Sequence, residues 1–203
     1  MNKRAFLFLT LLVIGFTSCE LPDIGVAYDP TNGNRPVVDL NEIDGSWNFS
    51  KIEVVTDNNE LYSIEGVELV NTFADLGLKS TANVQRFLRN KMEFDAESVT
   101  AYVINQVTPF QGPWKYTPEK EKLVLFANSQ DSETYTIKGL SPDAFTISTA
   151  KVILSEIPTE VTQQSFEQVI AQQIGKKIVE LKQPEASMAA DVASIQVIIR
   201  YQR

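Results

Sequence analysis

The segment SETYTIKGLSPDAFTIST, residues 132–149, constrains the fold more than any other stretch. Tyr135 and Ile137 share one face against Thr134 and Thr136, and Phe145 and Ile147 share one face against Thr146 and Ser148. Period-two alternation of this kind belongs to half-buried strands, and the Gly-Leu-Ser-Pro-Asp stretch between them reads as a hairpin turn. The pattern recurs upstream. KMEF and VTAYVI flank the polar turn DAES, and GPWKY and KLVLFA flank the charged turn TPEKE. Short strands at this spacing predict an antiparallel sandwich or an up-and-down barrel.

The pattern extends to both sides. GSWNFSKIEVV places Trp47 and Phe49 on one face but Ile52 and Val54 on the opposite parity, which predicts a bulge near Ser50 and Lys51. Leu61 to Ile64 is its hairpin partner across DNNE, and Ile195, Val197, Ile199 and Tyr201 alternate in a terminal strand that can close the sheet. Two helical passages interrupt the β text. Leu69, Val70, Phe73 and Leu76, then Val84, Phe87 and Leu88, predict short helices between about Gly66 and Asn90. A longer helix is expected over about 159–181, started by Pro158 and Thr159, stopped by Pro184, and carrying the stripe Phe166, Val169, Ile170, Ile174, Ile178 and Leu181.

The chain begins with a different kind of segment. Lys3 and Arg4 precede the uncharged, mostly apolar run Ala5 to Phe16, then small Thr17 and Ser18 and the single cysteine, Cys19. Twelve helical residues span about 18 Å, well short of a hydrocarbon core of ~30 Å, so a cleaved leader is expected over 1–18. Residues 19–42, rich in Pro, Gly and Asn, read as a lipidated N-terminus and flexible tether, and 43–203 as the folded domain.

Composition narrows the chemistry. The chain has no histidine and one cysteine, which removes imidazole-based triads, histidine metal sites and disulfide frameworks. A formal charge of −8 opposes nucleic acid as a partner. Asp39 to Gly45 has a superficial likeness to a calcium loop, but Ile43 and Ser50 stand where such a loop needs oxygen and glutamate ligands. No metal, cofactor or catalytic residue is therefore expected. Glu93, Asp95 and Glu97, and Asp131 and Glu133, lie in or beside turns, where solvated charge is the expectation.

Phe16-Thr17-Ser18-Cys19 resembles a bacterial lipobox, with Phe16 in place of the commoner Leu, Val or Ile. Together with the tether, the opening Gly45-Ser46-Trp47, the mid-chain Gly112-Pro113-Trp114-Lys115-Tyr116 and the hairpin residues Tyr135, Ile137, Leu140, Ser141, Phe145 and Ile147, it makes the chain similar to the lipocalin-like lipoproteins of Gram-negative bacteria. That resemblance implies a mainly β fold, an antiparallel lipocalin-like barrel of about eight strands. The helical insertion and the long helix before the last strand depart from that pattern, which implies Trp47 plugging one end and an apolar cup at the other. It also implies lipidation of Cys19 and a cell-envelope location at the outer membrane. The expected role is non-enzymatic binding of a small apolar or amphipathic molecule, with Tyr102, Trp114, Tyr116 and Tyr135 as candidate ligand contacts. The alternative is an accessory component of an envelope protein complex, meeting its partner through Gln164, Gln168 and Gln172.

Overall fold

The alternating segments close into a ring. A computed structural model describes residues 27–28, 36–37, 42–66, 68, 87–104, 106–129, 132–182 and 192–203. Its strands are β1 (Gly45–Thr56), β2 (Leu61–Glu65), β3 (Arg89–Phe94), β4 (Ser98–Val103), β5 (Phe110–Thr117), β6 (Lys122–Leu125), β7 (Glu133–Leu140), β8 (Ala144–Ser148), β9 (Val152–Ile153) and β10 (Ser194–Gln202). Eight of them pair antiparallel in the cyclic order β1-β3-β4-β5-β6-β7-β8-β10, and the β10–β1 ladder closes the circle. This is a closed eight-stranded antiparallel barrel, an architecture compatible with a calycin-like fold.

The remaining two strands lengthen one side of the ring. Twelve-residue β1 pairs through Gly45–Asn48 with β3 and through Lys51–Val55 with β2, while β10 hands over from β8 to β9 at its start. β2, β1, β10 and β9 thus extend the wall beyond the rim at one end. We refer to this as the helix end, and to the other, where Gly45 enters beside Phe94, as the closed end.

Bulges decide which side chains face inward. Tyr201 pairs with Phe49 and Arg200 with Lys51, so Ser50 is the extra residue and the parity of β1 flips where the sequence predicts it. On β3, Arg89 pairs with Val103 and Lys91 with Tyr102, which makes Asn90 a second bulge. Asn90 points to solvent, and Arg89 joins Met92 and Phe94 on the buried face.

Helix α1, residues 166–182, precedes the last strand as expected, but its start and phase differ from the expectation. Ser165 begins it with a capping box, its hydroxyl accepting from the Gln168 amide while the Gln168 side chain accepts from the Ser165 amide. The residues after Pro158 form a short 3-10 turn, Val161–Gln163, instead. Ala171–Gly175 is a π segment within the helix. Its wider turn shifts the stripe, so that Val179 is buried beside Ile178 and Leu181 is 44% exposed.

The apolar face of α1 packs onto the extended wall. Gly175 lets the helix lie directly on Ile195 and Val197 of β10, and Phe166 reaches Phe87 and Tyr135. Each fully buried Val, Ile or Phe contributes about 1.5–3 kcal/mol, and this face is what seats the helix on the barrel.

Of the expected helical insertion, Gly66, Glu68 and Phe87 are helical, but Leu88 is not and Arg89 and Asn90 open β3; residues 67 and 69–86 lie outside the described residues, as do the leader and Cys19. Within the expected tether, Ala27–Tyr28 pairs with Pro36–Val37 in a small ladder. Among the described residues no helix is long and apolar enough to cross a membrane.

Candidate functional site: the barrel lumen

The closed end is sealed by aromatics from five strands. Trp47 and Phe145 stand 5.5 Å apart, Phe94 meets Phe145 and Trp114 edge-on at 5.9 and 5.6 Å, and Tyr201 lies 6.0 Å from Phe145. The Trp47 indole donates to the Ile43 carbonyl at 2.7 Å. The Arg203 guanidinium lies 4.4 Å over the Trp47 ring and donates to the Glu42 and Asp44 carbonyls at 2.8 and 2.6 Å. Trp47 is thus fully buried within this aromatic cluster.

Toward the helix end the lumen holds an ion pair. β3 and β7 stand four places apart on the eight-strand ring, so a contact between them crosses the barrel. Arg89 on β3 and Glu133 on β7 make that contact, both side chains fully buried. Arg89 Nη2 donates to Glu133 and, at 3.1 Å, to the Tyr135 hydroxyl, which itself donates to Glu133 Oε2 at 2.9 Å. Among the described residues, Arg89 Nη1 meets only the Met92 thioether at 3.7 Å, and Nε has no partner.

Burial works to lower the pKa of the guanidinium, but the Glu133 carboxylate outweighs it and holds the pKa above the ordinary arginine value. Tyr135 is pushed well above the ordinary phenol range, by burial first and by Glu133 second. Tyr135 is thus held as the neutral phenol beside the arginine.

Glu133 corrects an expectation. Its expected place in or beside a turn suggests a solvated charge, yet its side chain is fully buried on the face of Tyr135 and Ile137. Arg89 falls within the expected helical insertion; the structure places it on β3 instead, where the Asn90 bulge turns it inward.

The four candidate ligand contacts do not converge. Tyr135 lies in the lumen within the ion-pair cluster. Trp114 and Tyr116 on β5 sit opposite lumen-facing Leu125 and Leu123, half-buried, with the Trp114 indole donating to the Asp95 carbonyl at the closed-end rim. Tyr102 lies on the outer face of β4, donating to Glu93 at 2.6 Å beneath the Lys91 ammonium. The described side chains of the lumen expected to form the cup opposite Trp47 are buried. Ile52, Val54, Met92, Leu123, Leu125, Tyr135, Ile147, Ile195 and Val197 are at most 1% exposed. A bound molecule would take the place of a side chain in this lumen.

One open cleft of about 260 Å³ lies outside, between Ala150–Ile153 and the start of α1, and none of the four candidates lines it. Among the described residues no cluster of acidic or sulfur ligands is arranged to hold a metal ion. No family model matches the chain, and no curated protein matches its sequence.

Proposed function

We propose that the chain is a non-enzymatic lipoprotein held at the cell envelope by an acylated Cys19, and that its barrel takes up a small apolar or amphipathic molecule beneath α1. The likeness to lipocalin-like lipoproteins supports the anchor, since charge, apolar run, small residues and cysteine coincide in one short stretch. Two or more acyl chains suffice to hold a soluble domain at a membrane. The expected location is the outer membrane, and no cofactor is required.

One observation carries the ligand reading. The barrel is closed by strand pairing on all sides and its Trp47 end is filled by aromatics, while α1, which contributes to no ladder, packs on Ile195, Val197 and Tyr135 toward the other end. Lifting α1 therefore opens the lumen without breaking a strand pair. A soluble chain beginning at Asn41, purified without detergent and examined by native mass spectrometry, is expected to carry a bound small molecule. Repeated recovery of the bare polypeptide contradicts the reading.

A second reading, an accessory component of an envelope complex, is favoured by the exposed apolar residues. Leu61, Val107, Ile153 and Leu181 are 44% exposed or more, and all four belong to the helix end. Gln164 and Gln168 are engaged locally, with the Pro158 carbonyl and in the helix cap. The apolar group is thus the better surface for a partner. Crosslinking in intact cells tests it, and recovery of the monomer alone argues against it.

A further inference from the structure

Arg89 is the only buried cation among the described residues, and much of its donor capacity is unused. A guanidinium has five N–H donors. Nη2 serves Glu133 and Tyr135, whereas among the described residues Nη1 meets only a sulfur and Nε meets nothing. Donors left dry in a protein interior retain their desolvation cost, so unpaired ones call for an explanation. A brace across the barrel does not supply one, because an apolar pair of similar volume braces as well or better. The Asn90 bulge turns this side chain inward, a common use of bulges beside functional sites.

We propose that Arg89 anchors the polar end of a ligand in the helix-end half of the lumen, and that this end is a neutral oxygen acceptor, as in an ester, amide or alcohol, rather than a free carboxylate. The inference rests on the ligand reading above and names the ligand's class. Charge decides between the two head groups. Arg89 is already neutralised by Glu133, so a carboxylate would bring an uncompensated negative charge beside Glu133 into a dry interior. A neutral acceptor satisfies the free N–H groups without that cost. The apolar tail takes the place of Phe166, whose ring packs edge-on against Tyr135 at 5.8 Å and is carried on the liftable helix.

The test uses the soluble chain beginning at Asn41 and three labelled probes in equilibrium dialysis at pH 8: methyl laurate, laurate and dodecane. Methyl laurate is expected to bind about tenfold more tightly than either of the others, the scale of a hydrogen bond from a charged donor. R89M/E133Q, with folding checked by near-ultraviolet circular dichroism, should bind ester and alkane alike. Arg89→Lys, which keeps the ion pair but has no Nε donor, should lose most of the preference and provides the answer if the double variant does not fold. Tightest binding of laurate overturns the neutral head group. Equal binding of ester and alkane by the unaltered chain overturns the Arg89 anchor and leaves the ligand reading standing. Binding of none of the three overturns both.

Discussion

A Cβ placed on Gly175 would stand 2.8 Å from Cγ2 of Ile195, closer than two carbons pack, so the absence of a side chain at 175 sets how near α1 lies to β10. Ile195 is β-branched and fully buried, and its methyl has little freedom to retreat. Gly175→Ala gains up to ~1 kcal/mol of helix propensity and incurs overpacking of about 1–3 kcal/mol. We expect a net loss of roughly 1 kcal/mol in urea denaturation, with faster hydrogen exchange in α1.

At the opposite end, Arg203 joins the Trp47 ring to the carbonyls of Glu42 and Asp44. Arg203→Ala removes a cation–π contact and two hydrogen bonds from a charged donor. A loss of about 1–3 kcal/mol is expected, accompanied by a change in the Trp47 fluorescence. An unchanged denaturation midpoint would show that the plug holds without its arginine.

The ion pair across the lumen predicts strong non-additivity. Glu133→Leu alone leaves the Arg89 charge buried without its carboxylate and should cost about 3–5 kcal/mol. Arg89→Met together with Glu133→Leu should recover most of that loss, because the desolvation of both charges is removed with them. A double-mutant cycle by chemical denaturation measures the coupling, and additive effects would contradict the paired geometry.

Glu53 predicts an acid-dependent contribution to stability. Burial works to raise its pKa, but Lys51 at 2.8 Å and Arg200 at 2.7 Å outweigh it and hold the carboxyl below the usual glutamate range. A folded-state pKa below the unfolded one stabilises the fold above the unfolded value, and this contribution is lost as pH falls through the folded value. Glu53→Gln should therefore be less stable than the parent at pH 7, and the difference should shrink below about pH 4.5. Urea midpoints across pH 3 to 7 follow it.

The strand plan was legible because it depends on period-two alternation. Tyr135 and Ile137, Phe145 and Ile147, and the parity change at Ser50 each mark a buried face that the ring reproduces. Glu133 carried a readable signal too, since it shares parity with Tyr135, but proximity to a turn suggested solvent. Arg89 was not legible in the same way. Its inward direction depends on the Asn90 bulge, and polar residues on both sides of that position leave no apolar alternation to expose a shift. The helix stripe was legible except for its last member. The π segment moves Leu181 out and Val179 in, a phase change that no propensity in the run announces.

The central claim is that α1 is a movable cover over a ligand site in a barrel that otherwise stays closed. Hydrogen exchange of the soluble chain, followed by mass spectrometry with and without saturating methyl laurate, tests it most directly. The account predicts altered exchange in residues 166–182 and unaltered exchange in β1 and β10 around Trp47 and Tyr201. Identical exchange in the helix with and without the probe would contradict it.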